Sequence, residues 1–120
     1  MRNRTQRPSR SNPLDHLPLR PAAFAVLASL ADGHRPGIDI LDEVNATVPG
    51  RPLFGPGTLY RLMRELRQDG LVERAARGSH TEDERQAFHG LTALGRGVLR
   101  AEAARLRRTL KLASARSGSR

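Results

Sequence analysis

The chain has no cysteine and no tryptophan. Without thiols there is no disulfide, no thiolate metal site and no cysteine nucleophile. Its aromatic residues are confined to Phe24, Phe54, Phe88 and Tyr60, too few for the stacking platforms that hold single-stranded nucleic acid. No apolar run approaches the roughly 20 residues of a membrane span. The opening Met1-Arg-Asn-Arg-Thr-Gln-Arg-Pro has none of the apolar core of a secretory signal. The sequence therefore predicts a cytoplasmic chain that does not enter a membrane. The histidines are His16, His34, His80 and His89. They are not spaced with one another, or with carboxylates, as metal ligands or catalytic groups are, and each is expected at the surface or in a turn. Gly55-Pro56-Gly57-Thr58 lacks the Gly-Lys-Ser/Thr ending of a phosphate-binding loop. Most serines lie toward the chain ends, where a nucleophile is not held in place. The residues predict neither an enzyme nor a bound cofactor or metal.

What the chain has in excess is positive charge. Its 120 residues carry 21 basic and 12 acidic side chains, a formal net charge of +9, and Lys111 is the sole lysine. That length suits one domain with tails and is too short for two cores. The charge excess implies an anionic partner: nucleic acid, an acidic membrane or an acidic protein.

The stretch from Phe54 to Val72 organises the chain. Gly55 can cap a helix, and Pro56 suits the first helical position, where its missing N–H costs nothing. Gly70 can take the left-handed conformation that ends a helix. Between them Leu59, Leu62, Met63 and Leu66 recur at i, i+3, i+4 and i+7, an apolar stripe of helical period. Thr58, Tyr60, Arg61, Arg64, Arg67 and Gln68 occupy the rest of the circumference. Guanidinium and amide groups read guanine and adenine edges in a major groove, and all of these side chains can grip phosphate. Taken alone, an arginine-rich helix face is as readily an ordinary solvated surface.

The surroundings favour the first reading. Residues 1–13 read as a disordered basic arm, with Arg2, Arg4, Arg7 and Arg10 able to add phosphate contacts. A first helix from Pro21 to about Ala31 is apolar around much of its circumference, through Phe24, Val26, Leu27, Ala28 and Leu30, and belongs in a core or a subunit interface. His34 to Gly37 reads as a turn. A second helix from Gly37 to about Thr47 has the stripe Ile38, Leu41 and Val44, extended by Ile40 and Val48, with Asp39, Asp42 and Glu43 toward water. Pro49 to Pro52 breaks it. Two helices joined by a Gly/Pro-bearing connection, the second one basic, outline a helix-turn-helix, and the long connection suits its winged variant.

Beyond Gly70, Leu71–Arg74 and Gln86–Leu91 predict the strands of a hairpin, or wing, with Phe88 as buried anchor and Arg77 and His80 at the tip. Glu82-Asp83-Glu84 would repel phosphate, so it is expected to turn away from DNA or to pair with neighbouring arginines. Thr92 caps a last helix from Ala93 to about Ala113. Leu94, Val98, Leu99, Glu102, Ala103, Leu106, Leu110 and Ala113 recur along it at three- and four-residue spacing. At about 1.5 Å per residue this helix is about 30 Å long, the width of a small domain. So long a stripe outruns the core available to it and calls for a second copy of the chain.

Two passages carry a resemblance. Gly55-Pro56-Gly57-Thr58-Leu59-Tyr60-Arg61, with Leu66 and Asp69-Gly70-Leu71-Val72, looks like the recognition helix and wing entry of the PadR-like winged-helix transcription regulators. Asp83-Glu84-Arg85, Phe88 and Leu91-Thr92-Ala93-Leu94-Gly95-Arg96 is similar to that family's return strand and the start of its dimerisation helix. The resemblance runs from Leu19 to Ala113, about four-fifths of the chain. It implies a dimeric repressor on a dyad-symmetric operator, with the recognition helix in the major groove and wings toward the flanking backbone. It implies dimerisation through the last helix with help from the first, here Phe24, Leu27, Leu94, Leu99, Leu106 and Leu110. It also allows a small-molecule effector, since some members release DNA on binding a small, often aromatic, molecule between subunits. The chain departs from the pattern at Pro36-Gly37-Ile38, where His-Gly-Tyr is common. It departs again at Ala87 and His89, where a basic residue and a tyrosine are common. These departures, and the missing tryptophan, weaken the case for an aromatic-drug pocket.

The sequence thus predicts a mainly α fold with a small β-hairpin. The winged helix-turn-helix would span 14–91, the C-terminal dimerisation helix 92–115 and a disordered tail 116–120. The predicted function is sequence-specific binding of double-stranded DNA by a homodimeric repressor. Arg61, Arg64 and Gln68 would meet base edges, Thr58, Tyr60 and Arg67 phosphates, and Arg77 and His80 the backbone or minor groove. Two other readings stay open: a ligand-sensing dimer that captures a small molecule at the subunit interface, and a winged helix whose basic face grips an acidic protein.

Overall fold

The computed structural model describes residues 10–52, 55–75 and 83–117. Four helices and three short strands follow one another as α1 (Pro21–Ser29), β1 (Arg35–Pro36), α2 (Gly37–Asn45), α3 (Pro56–Gln68), β2 (Val72–Arg74), β3 (Phe88–Leu91) and α4 (Ala93–Ser117). This is a winged-helix architecture with a long C-terminal helix. The sheet is antiparallel in the order β1-β3-β2, with Arg35 opposite His89 and Val72 opposite Leu91.

The expected stripe of α3 is the centre of the core: Leu59 and Met63 are 0% exposed, Leu66 3% and Leu62 6%. They pack with Val26, Leu27 and Leu30 at α1, Ile40 and Val44 of α2, Leu71, and Val98 of α4. Burial of each such side chain contributes about 1.5–3 kcal/mol. The end of α3 is set by Gly70, whose φ of +80° is the left-handed conformation a side chain resists. There the Gly70 N–H donates to Arg67 O and the Leu71 N–H to Leu66 O, both at 3.0 Å, which satisfies carbonyls the helix leaves open. Thr92 caps α4 by accepting the Gly95 N–H at 2.9 Å, and its hydroxyl donates to Gly70 O at 2.6 Å. One threonine therefore starts α4 and ties it to the end of α3.

Four features differ from the sequence reading. Arg35–Pro36, read as part of a turn, is an edge strand on β3. Two residues are too few to show alternation, and proline is tolerated at an edge. Phe88, expected as the buried anchor of the wing, is 42% exposed, whereas His89 is 0% exposed. Period-two alternation turns His89 inward together with Leu91 and leaves Phe88 on the opposite side. The histidines do not all lie at the surface: His16 is only 7% exposed, with its Nε2 2.7 Å from Arg10 O. And α4 extends to Ser117, with every residue from Arg107 onward exposed.

The N-terminal half of α4 is held differently. Gly95, Val98 and Glu102 are buried. The Glu102 carboxylate accepts the Leu19 N–H at 3.0 Å and two Arg105 N–H groups at 2.6 and 2.9 Å. A carboxylate can sit inside an apolar stripe only when satisfied in this way. Of the expected N-terminal arm, residues 1–9 lie outside the described residues, and Asn12 caps a short helical turn at Pro13–His16 that lies against α4. No helix among the described residues is long and apolar enough to cross a membrane.

Candidate nucleic-acid interface

Burial of its apolar stripe fixes which way α3 faces. Thr58, Arg61, Arg64 and Gln68 are all exposed, and Arg61, Arg64 and Gln68 fall at i, i+3 and i+7, one row along the outer surface. Arg51, which the sequence reading passed over, is exposed in the turn that precedes the helix. Glu65 also lies on the outer face, where it pairs with Arg20 at 3.1 Å. Arg77 and His80, expected at the wing tip, lie outside the described residues.

The two other expected groups of α3 are not free on that surface. Tyr60 is half-buried, and its hydroxyl is buried with no hydrogen-bond partner among the described residues. Burial pushes its pKa up, and the Arg85 charge only partly opposes this. Arg67 turns instead to Glu84, donating from Nη1 at 3.0 Å and Nη2 at 2.7 Å in a bidentate pair. Arg74 of β2 joins from the other side, 3.3 Å from the same carboxylate. The acidic interruption noted in the sequence thus does pair with neighbouring arginines at Glu84. Burial alone would raise the Glu84 pKa, but the Arg67 hydrogen bonds and the charges of Arg67, Arg74 and His89 outweigh it and hold it below the usual carboxylate range.

The segment that carries Glu84 is also fastened to α2 and β3. The N–H groups of Gly37 and Ile38 in α2 donate to Ala87 O and Arg85 O at 3.1 and 2.9 Å. Position 37 must be glycine, because a Cβ there would collide with the carbonyl of Glu84. His89 Nε2 lies 3.2 Å from that carbonyl. A carbonyl only accepts, so Nε2 carries the hydrogen, and Nδ1 faces inward with no partner among the described residues. Burial lowers the His89 pKa, and the Arg67 and Arg74 charges add to this against the pull of Glu84. No spacing pattern in the sequence pointed to this cluster, since its members come from α3, β2, β3 and the turn between the strands.

The expected dimerisation residues divide. Leu27 is 0% exposed and belongs to its own subunit's core; it has nothing to offer a second chain. An all-apolar helix does not reveal which of its faces the core takes. Leu94 and Leu99 are half-buried against the core, Leu106 is half-buried and Leu110 is 65% exposed. Phe24 lines an apolar groove of about 660 Å³ between α1 and the end of α2, with Ala25, Ala28, Glu43, Thr47 and Val48. No group of three or more His, Asp or Glu side chains able to hold a metal occurs among the described residues.

The family model of the transcriptional regulator PadR-like family matches residues 26–101. No curated protein matches the chain. Among solved structures it is similar to a mutant of ZitR from Lactococcus lactis, with a TM-score of 0.63 and 19% identity over 85% of this chain and 62% of that one. It is also similar to a MarR family transcriptional regulator from Silicibacter pomeroyi, at 0.59 and 24% over 85% and 65%. A transcriptional regulator from Clostridium thermocellum gives 0.61 and 17% over 78% and 86%. The chain spans less than two thirds of the first two proteins, and at these identities the likeness is one of fold.

Proposed function

The chain belongs to the transcriptional regulator PadR-like family, and from that premise we propose that it is a homodimeric repressor that reads a dyad-symmetric operator in cytoplasmic double-stranded DNA. The observation that carries this reading is the row Arg61, Arg64 and Gln68, exposed along α3 directly opposite its buried stripe. In that orientation the helix can enter a major groove with its base-reading groups foremost. Arg61 and Arg64 would meet guanine edges and Gln68 an adenine, while Thr58 would fix register on phosphate at the helix start. Arg77 and His80 retain their proposed place on the wing. Tyr60, with its hydroxyl buried, is better suited to setting the helix than to gripping backbone. Two subunits would read half-sites about 34 Å apart, one turn of duplex.

The second copy is suggested by α4. Leu110 and Leu112 are 65% and 56% exposed, and they share the helix end with Arg107, Arg108 and Lys111. The groove beside Phe24 is apolar and has Glu43 in its lining, a chemistry that suits a helix end bearing leucine and basic residues. The same groove has a volume suited to a drug-sized molecule, which keeps the ligand-sensing reading in play; a saturable thermal shift with a planar cation would favour it.

Selection of bound sequences from a random duplex pool tests the main reading and should return a two-fold motif. On that operator, Arg61→Ala or Arg64→Ala should cost about 1–3 kcal/mol and relax one base position. If both variants bind with unchanged affinity in an anisotropy titration, the assignment is wrong. Weak, sequence-blind binding by a monomer would favour the protein-interaction reading instead.

A further inference from the structure

We propose that Glu84 is a specificity-determining residue of the DNA interface: its carboxylate withholds the Arg67 guanidinium from phosphate and pins the recognition helix to the root of the wing. This rests on the DNA-binding reading above.

The geometry is that of a built site. The Glu84 side chain is 12% exposed and that of Arg67 23%. Exposed ion pairs contribute little because water and side-chain freedom compete with them, whereas a bidentate, largely covered pair escapes much of that competition. The carboxylate is also fixed from behind. Its own carbonyl is held against Gly37 and His89. The Asp83 side chain accepts the Arg85 N–H at 2.9 Å, and Asp83 O accepts the N–H groups of Gln86 and Ala87 at 3.2 and 3.0 Å. A phosphate that captured Arg67 would strip the covered carboxylate of its bidentate partner and leave Arg74, at 3.3 Å, to answer it alone among the guanidinium groups on that carboxylate, a costly loss.

Two consequences follow for recognition. Sequence-blind binding grows with the number of phosphates neutralised, so withdrawing one guanidinium lowers the background against which an operator competes. The same bond holds α3 at a fixed rotation relative to β2 and β3, which keeps Arg61 and Arg64 in register with bases rather than with the backbone. Glu84 therefore acts through Arg67, without touching DNA itself.

The test compares the wild-type protein with Glu84→Gln on the selected operator and on a scrambled duplex of equal length, by anisotropy across a salt series. For Glu84→Gln the scrambled duplex should bind several-fold tighter. Its log–log salt slope should steepen by about 0.9, the increment for one added phosphate contact. The ratio of operator to scrambled affinity should fall about tenfold. Adding Arg67→Gln to this variant should return the slope to the wild-type value while the ratio stays low. The double variant removes both charges of the pair together, so that a covered carboxylate is not left facing a missing guanidinium. It keeps the proposal testable where Glu84→Gln alone does not fold, since a wild-type ratio in the double variant overturns it. An unchanged salt slope in folded Glu84→Gln overturns the proposal and leaves the DNA-binding reading intact. Wild-type protein that binds no duplex removes both.

Discussion

Helices α3 and α4 are both amphipathic, and they spend their apolar residues differently. The stripe of α3 is wholly consumed within the subunit, from Leu59 to Leu66. What α3 leaves exposed is polar and mostly cationic, with Glu65 as the acidic exception. The stripe of α4 is fully buried only as far as Glu102 and half-buried at Leu106. Beyond that point it leaves leucines in water beside arginines. A helix whose apolar surface is satisfied at home can offer its other face to a polar partner such as DNA. A helix whose apolar surface is half satisfied invites a protein.

The largest effects separate the two helices by stability. Met63→Ala or Leu59→Ala opens a cavity at a fully buried position and should cost about 2–5 kcal/mol, read as a lowered midpoint in a urea melt. Leu110→Glu places a charge on a residue that is 65% exposed and should leave the subunit's own fold intact. It should instead convert the dimer to a monomer in sedimentation, and remove the concentration dependence of the melting temperature that a folded dimer shows. The contrast breaks if Leu110→Glu leaves the sedimentation coefficient of a dimer unchanged.

Acid sharpens the contrast, because a largely covered carboxylate braces each helix. Glu84, from the turn between β2 and β3, braces the end of α3, and Glu102 braces the N-terminal half of α4. The Arg105 hydrogen bonds lower the Glu102 pKa, against burial and with help from the Leu19 N–H. Both carboxyls titrate below their ordinary value of 4.5. Their stabilisation is therefore present above about that pH and lost as pH falls through the folded pKa values. His89 acts earlier. Its folded pKa lies below the ordinary 6.5, so the unfolded chain takes the proton first, and stability declines as pH drops below about 6.5. Melting temperature measured against pH should thus fall in two stages. His89→Gln should flatten the first, and Glu102→Gln should blunt the second. A His89→Gln curve superimposable on wild type between pH 7 and 5 would contradict the buried neutral imidazole.

The same division marks what could be read from the sequence. The ends of α3 were legible because Pro56, Gly70 and the Leu59–Leu66 spacing are local signals that agree with one another. So was Thr92, which needs only the next three residues to act as a cap. His89, Phe88 and β1 were not legible. Which side of a four-residue strand faces inward depends on what the rest of the fold lays against it, and a two-residue edge strand has no pattern at all. The Arg67–Glu84 pair spans 17 positions. The acidic run signalled that some arginine would answer it, and the chain's many arginines hid which one. That Leu27 lies in the core and not at an interface was hidden for a similar reason, since an all-apolar helix gives no sign of which face the core occupies.

The smallest effect lies on the reading face itself. Glu65 and Arg20 pair at 3.1 Å with side chains 48% and 68% exposed. A pair so open to water contributes about 0–1 kcal/mol to stability, so Glu65→Gln should barely move the urea midpoint. Its effect on binding should be separate and opposite in sign. Glu65 stands one residue from Arg64 and four from Arg61, on the side of α3 that would face a duplex, where a carboxylate repels phosphate. Removing its charge should tighten binding to operator and scrambled DNA alike, by less than the gain expected of Glu84→Gln on scrambled DNA, because no new guanidinium is released. On α4, Lys111→Gln removes an exposed charge outside α3 and should alter neither. If Glu65→Gln weakens operator binding, Glu65 is contacting bases, and the face of α3 that meets DNA is rotated toward Arg20.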